Sequence, residues 1–260
     1  MIYKAVLKSN NELRDKVMKL FSGMDDTLIL SCIQGHMGSI FVDNLKEPTC
    51  VQALVGDFTF FAGDSNSDGL GELLNNIPKN MFIVPQSDSI GRRIEQMDVE
   101  LSEKFSRYSF KKDINNLDIN KIKGFLIPLE DGYELKKIDE EIANSKSLNE
   151  LSEDFTGQFE SVKDFLNRGI GYVIIHNGKV VSGASSYTIY DNGIEIEVDT
   201  DINYRRKGLA TIVSAALIKD CLERNIYPSW DAANLNSKSL AEKLGYVFDK
   251  AYDTYYIKVK

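Results

Sequence analysis

Between Gly171 and Thr200 the sequence reads GYVII-HNGK-VVSGASSYTIY-DNG-IEIEVDT, a series of apolar runs broken at Asn177-Gly178 and again at Asp191-Asn192-Gly193. Asn-Gly pairs accept the positive φ of a tight hairpin turn, so the stretch predicts three successive antiparallel strands. DTDINYRRKGLA follows, and then a helix from about Lys207 to Arg224, with Leu209, Val213, Ala216, Leu217 and Cys221 along one stripe. Next come a short strand in PSWDAA, a helix in NSKSLAEKL closed by Gly245, and a Tyr-rich pair of strands from Tyr246 to Val259. Upstream, Tyr133 to Ile138 alternates as a strand. A helical region then runs to about Arg168, its face marked by Phe155, Phe159, Val162, Phe165 and Leu166.

The first half is less sharply patterned. Residues ~8–22 have helical spacing, TLILSCI reads as a short β-rich run, and Val51 to Gly63 reads as one long strand. GLGELLNNIP predicts a short helix stopped by Pro78, MFIVP a buried strand, SIGRRIEQMDVELS a helix and FSRYSFKK a strand. The polar stretch from Lys111 to Lys123 lacks periodicity and is the expected boundary. With 260 residues, two domains are expected, a smaller α/β domain over 1–120 and a second over 125–260. The fold class is α/β of the α+β type, with a mixed, mostly antiparallel sheet flanked by helices in the C-terminal domain.

Composition narrows the function. The 39 acidic residues outnumber 31 Lys plus Arg, a net charge of −8, so the overall field repels nucleic acid and any phosphate must bind locally. Cys32, Cys50 and Cys221 are odd in number and far apart, and only His36 and His176 are present. Neither a disulfide framework nor a multi-histidine metal site is expected. No apolar run approaches a membrane span and the first residues do not read as a secretory signal, so a cytoplasmic location is expected.

The segment with most chemical content is Arg205-Arg206-Lys207-Gly208-Leu209-Ala210, which follows a strand and opens a helix. Free N–H groups at a helix start and the helix dipole attract phosphate oxygens, and a glycine lets a ligand approach the backbone. The alternative is a solvated basic first turn. The spacing Arg205-x-x-Gly208-x-Ala210 resembles the acetyl-CoA signature of the GCN5-related N-acetyltransferases (GNAT), Gln/Arg-x-x-Gly-x-Gly/Ala. A second block, from Asn234 to Gly245-Tyr246, is similar to the same family's Asn-x-x-(Ala/Ser)-x-x-Leu-Tyr-x-x-Leu-Gly-(Phe/Tyr) pattern. The resemblance covers roughly residues 125–260, and within the family the sequence looks like the zwittermicin-resistance-type branch.

This resemblance implies that the strand at Ile194 to Thr200 splays from the strand at Ser229 to Ala233, with the pantetheine arm of acetyl-CoA in the gap. Val198, Asp199 and Thr200 would offer backbone groups. Arg205, Arg206, Lys207, Gly208, Leu209, Ala210 and Thr211 would hold the pyrophosphate, and Asn234, with Ser237, the pantetheine arm. The implied reaction is direct attack of an amine on the thioester, which needs a base. Strand alternation puts Glu195, Glu197 and Asp199 on one face. Glu195 is the first candidate base and Glu197 the second; the competing reading is a row of solvent-facing carboxylates on a half-exposed strand. Ala241 stands where the family often has the Tyr that protonates the thiolate. Tyr246, Tyr252, Tyr255 and Tyr256 are the substitutes in reach, and each also reads as a strand aromatic. His176 reads as a solvated turn residue, His36 as a loop residue and Trp230 as a buried core side chain. The expected function is an acetyl-CoA-dependent N-acetyltransferase acting on a small or peptidic amine, without metal, membrane or nucleic acid, and a homodimer is compatible with it. The first domain would shape the acceptor pocket, mediate dimerisation, or be a diverged acetyltransferase-like half. The alternative is a non-catalytic acyl-CoA-binding or sensor module.

Overall fold

The computed structural model describes residues 1–97 and 101–257, with 101–103 described as backbone only. It divides into two compact units, one of Met1–Arg107 with the chain from Ala251 onward, the other of Tyr108–Lys250. The fold is α/β, with mixed, mostly antiparallel sheets flanked by helices.

In the first unit, β1 (Tyr3–Ala5), β2 (Ser39–Val42), β3 (Cys50–Val55) and β4 (Phe58–Gly63) form an antiparallel series. Helices α1 (Asn11–Leu20) and α2 (Thr27–Gln34) separate β1 from β2. The chain crosses through α3 (Asp68–Leu74) to β5 (Met81–Pro85), which lies parallel to β4. Helix α4 (Asp88–Glu95) and β6 (Leu101–Phe110) follow. The last strand, β13 (Phe248–Ile257), pairs antiparallel with β5 at Tyr255, Tyr256 and Ile257.

Three expectations for this half are corrected. TLILSCI is helix α2, not a strand: Asp26 caps it by accepting from Leu28 N, and Gly35 ends it in the left-handed region at φ 71. Val51 to Gly63 is a hairpin of β3 and β4 that turns at Gly56, φ 56. The helix expected over SIGRRIEQMDVELS stops at Glu95, and Leu101 already belongs to β6; residues 98–100 lie outside the described residues.

The second unit repeats the plan. β7 (Tyr133–Lys137), β8 (Gly171–His176), β9 (Lys179–Tyr190) and β10 (Gly193–Thr200) form an antiparallel series. A crossover through α9 (Leu209–Glu223) reaches β11 (Tyr227–Ser229), parallel to β10. β12 (Asp231–Ala232) and α10 (Leu235–Leu244) complete it. Asn177 and Gly178 both have positive φ, 51 and 76, as the hairpin turn demands. α9 is buried on nearly every side, from Leu209 through Ile218 and at Cys221, because it packs on β8, β9 and β10.

The region between β7 and β8 is not one helix but α6 (Glu140–Ala143), α7 (Lys146–Leu151), a 3-10 turn at Glu153–Phe155 and α8 (Val162–Arg168). Phe155, Phe159 and Phe165 are buried as their spacing predicts, while Leu166 is exposed. Phe155 lies directly on Gly183, where a Cβ would stand 2.6 Å from its ring, so the small residues of VVSGASS let this segment sit against the sheet. The polar stretch at 111–123 contains α5 (Ile119–Lys123), whose Ile122 is fully buried and which packs on α9. The expected pair of strands after Tyr246 is, among the described residues, the single strand β13.

Candidate functional site

β10 pairs with β9 along its whole length, but its other edge pairs with β11 only over Gly193, Ile194 and Glu195, opposite Tyr227, Pro228 and Ser229. Past Ser229 the chain leaves: Trp230 follows, and Asp231 and Ala232 pair instead with Ser109 and Tyr108 of β6. A β-bulge interrupts the β9–β10 register between Glu195 and Ile196, at the level where the strands part. Beside the open edge lies a cavity of about 470 Å³.

Val198, Asp199, Thr200, Arg205, Arg206, Gly208, Leu209, Ala210, Thr211, Asn234 and Ser237 all line this cavity. Of the residues expected at the cofactor, only Lys207 is not part of its wall. Tyr204, Trp230, Asn236 and Leu240 line it as well; Leu240 stands at the Leu of the second block, while Tyr204 and Asn236 carry no signal in the sequence, because only tertiary folding brings them to the wall.

The wall is polar where α9 begins. Gly208 caps the helix from the left-handed region, φ 80, no side chain accepts from its first-turn N–H groups, and a Cβ on Gly208 would meet nothing within 4 Å. Arg206 also has positive φ, 64, so the chain turns sharply just before the helix. Arg205 works backward: its Nε donates to Thr200 O at 3.0 Å and its guanidinium stands 3.6 Å from Asp199 Oδ1, which fixes the end of β10 to the loop. Lys207 turns away and donates to Tyr133 OH at 3.1 Å, a bond that raises its pKa. Its ammonium lies over the rings of Tyr133 and Tyr204. Tyr133 stacks on His176 at 4.1 Å, and His176 Nδ1 is 3.0 Å from Tyr204 OH, so His176 is packed into an aromatic cluster rather than solvated.

On the facing wall, Asn234 caps α10, its Oδ1 accepting from Asn236 N and Ser237 N at 3.0 Å each. Ser237 Oγ accepts from Trp230 Nε1 at 3.1 Å. Trp230 is buried, as expected, and packs on Tyr246 at 5.5 Å between ring centres. Tyr246 is buried too; its OH donates to Pro228 O at 2.5 Å, and burial pushes its pKa well up. Tyr255, in the first unit, donates to Glu95 at 2.8 Å. Both phenols are therefore committed to structural bonds.

The carboxylates of β10 do not form a solvated row. Glu195 is 6% exposed, and Glu197 and Asp199 are half-buried, the side chain of Asp199 being 39% exposed. Glu197 Oε1 accepts from Ser152 Oγ at 3.4 Å, a contact that sequence spacing could not reveal. Neither Glu195 nor Glu197 lines the cavity; Asp199 does. Among the described residues no cluster of three or more His, Cys, Asp or Glu is placed to hold a metal ion, and no helix is long and apolar enough to cross a membrane.

A parallel strand pair that opens beside a helix start with no side-chain cap is the arrangement that the sequence resemblance implies, and comparison gives the family. Residues 18–255 match the GNAT acetyltransferase family, so the chain belongs to that family. It is similar to an uncharacterised N-acetyltransferase, YdfB, of Bacillus subtilis (strain 168), 36% identical over 133 residues, which spans 50% of each chain. The match thus covers about half the length of that curated relative. A crystal structure of a GCN5-related N-acetyltransferase-like protein from Streptococcus suis is 40% identical over 95% of this chain and 99% of its own, with a TM-score of 0.87. A GNAT-family protein from Novosphingobium aromaticivorans shares the fold at 15% identity, TM-score 0.55, over 90% of this chain and 96% of its own.

Proposed function

We propose that this chain is an acetyl-CoA-dependent N-acetyltransferase that acts on a primary amine of a small or peptide-like molecule, and that it stands with the zwittermicin-resistance-type branch. The observation that carries the reading is the parting of β10 and β11 after Glu195 and Ser229, beside a helix start that no side chain caps. The residues fit the group. First-turn N–H groups from Gly208 to Thr211 are free of side-chain caps and suit a diphosphate, with Arg206 adding charge. The outer edge of β10 has backbone left over for an extended arm at Val198, whereas at Thr200 the N–H donates to Asp199 Oδ1 and the O accepts from Arg205 Nε; the amide nitrogen of Asn234 remains available because its oxygen does the capping.

Acetyl-CoA supplies an activated acetyl group as a thioester: transfer forms a C–N bond, breaks the C–S bond, removes a proton from nitrogen and returns one to sulfur. Glu195, which is buried beside the cavity and not in its wall, takes the proton through water, with Glu197, held by Ser152, as second carrier. No phenol is assigned to the thiolate, since Ala241 is buried at the usual position and Tyr246 is bonded to Pro228. A thiolate with a free pKa of about 8.5 leaves without one. In this reading residues 125–260 carry the transfer, and residues 1–120 serve acceptor recognition or dimerisation.

An amine panel with thiol release as readout tests the reading. Release with at least one amine is expected, together with a loss of roughly 10²-fold or more in turnover for Glu195→Gln at unchanged acetyl-CoA affinity. The committed Tyr246 phenol favours one rival, a module that binds acyl-CoA without turning it over; acetyl-CoA stabilisation with no thiol release from any amine decides for it.

A further inference from the structure

Trp230 is the first residue past the last β10–β11 pair, Glu195 with Ser229, and therefore stands where the strands separate. It is 5% exposed yet lines the cavity, and the β10 wall of that cavity begins only at Val198. Its ring is held from two sides, through Nε1 to Ser237 Oγ at 3.1 Å and by the ring of Tyr246 at 5.5 Å. Tyr246 is itself tied to Pro228, in the strand that leads to Trp230. An indole fixed in this way is a rigid stop where the strands part, not a side chain free to swing aside.

Resting on the acyl-CoA reading above, we propose that Trp230 sets the size of the donor acyl group: it closes the cavity against the acyl end and restricts the enzyme to acetyl or a comparably short group. Ser237 and Tyr246 act through Trp230, holding the indole in place. A longer aliphatic chain must either displace the indole, breaking its bond to Ser237, or remain in water.

Trp230 is the single tryptophan of the chain, so its emission reports on its neighbours without a label. Wild-type protein is titrated with CoA and with acetyl-CoA, with binding followed independently by calorimetry and thermal midpoint. Both ligands are expected to bind, and the emission of Trp230 to shift differently with the two. Binding of both with identical emission changes overturns the inference and leaves the acyl-CoA reading standing; no binding of either overturns that reading itself. Affinities for acetyl-CoA and butyryl-CoA are then compared in wild type, Trp230→Ala and Trp230→Phe. The wild type is expected to prefer acetyl-CoA by roughly 10-fold or more, the scale on which an apolar pocket resolves added methylenes. Trp230→Ala should erase most of that preference and Trp230→Phe part of it. Equal affinities in the wild type, or an undiminished preference in whichever variant folds, overturn the assignment.

Discussion

Gly208 shows how much a single residue decides. Its φ of 80 is open to glycine without strain, whereas an L side chain there costs about 1 kcal/mol. Since a Cβ would meet nothing within 4 Å, the cost is one of backbone and not of collision. Gly208→Ala should therefore lose about 1 kcal/mol in urea unfolding, and Gly208→Val more, because branching at Cβ restricts the same torsion further. An alanine variant as stable as wild type would show that the loop relaxes out of the left-handed region. Gly245 was legible in the sequence as the end of a helix because a left-handed cap is a local matter, whereas Gly208 was read only as room for a ligand and Asn234 only as a pantetheine contact, not as the residues that cap α9 and α10. The separate paths of the three cations before Gly208 were not legible. Arg205 reaches back to Thr200, Arg206 stays at the cavity and Lys207 bonds Tyr133, so adjacent residues of like charge part toward different partners, one near in the chain and one on the distant strand β7. The depth of Glu195 was equally hidden: alternation along β10 reads the same whether one face meets water or a neighbouring strand.

Among the elements, α9 depends on a polar clamp at its far end. Asp220 accepts from Lys137 Nζ of β7 and Tyr172 OH of β8, both at 3.0 Å, and pairs with Arg224. Burial alone would raise the Asp220 pKa, but the bonds from Lys137 and Tyr172 outweigh it and hold the carboxyl below its ordinary range. A depressed carboxylate contributes stability above its unfolded pKa of about 4, lost as pH falls through the lower folded value. Tyr172 runs the other way. Burial and Asp220 push it up to about 12, so its contribution is full below the unfolded value of about 10 and is lost as pH rises through the folded one. Asp220→Asn should lower the thermal midpoint at pH 7 and flatten the fall below pH 4; Tyr172→Phe should flatten the fall above pH 10. Midpoints across pH for both variants check this, and an acid limb unchanged in Asp220→Asn would remove Asp220 as its source. Element type followed from sequence at α10, which Gly245 closes, and at α9, whose 15 residues are too long for a strand although it too is buried on nearly every side. It failed at α2, whose apolar run is buried on nearly all sides and so carries no helical period; only Asp26 and Gly35 mark its ends.

At the scale of the whole chain, the two units share one strand plan and differ at the cradle. In the first, β4 and β5 pair from Phe58 to Phe61 and only Ala62 and Gly63 run on, with Gly63 N donating to Gln86 Oε1, whereas β10 runs on from Ile196 to Thr200 past its last pair with β11. Ser67 caps α3 by accepting from Gly69 N, and Asp43 crowds the same helix start, with a Cβ on Gly69 falling 2.8 Å from Asp43 Oδ2. A fixed carboxylate and a hydroxyl thus take the place that a phosphate would need. Calorimetry should therefore find one acetyl-CoA per chain, and two would refute this account of the first unit. The segment from Ala251 onward completes the core of the first unit. Tyr255 and Ile257 are 3% and 1% exposed, and they share a core with Ile83, Ile90 and Ile94 of the first unit, far from them in sequence. Losing a large buried side chain costs roughly 2–5 kcal/mol, and losing two removes much of a domain's typical 5–15 kcal/mol. A chain truncated after Lys250 should accordingly keep 108–250 protected while residues 1–107 are digested in limited proteolysis. Equal protection of both would mean that the first unit closes its core without the final strand.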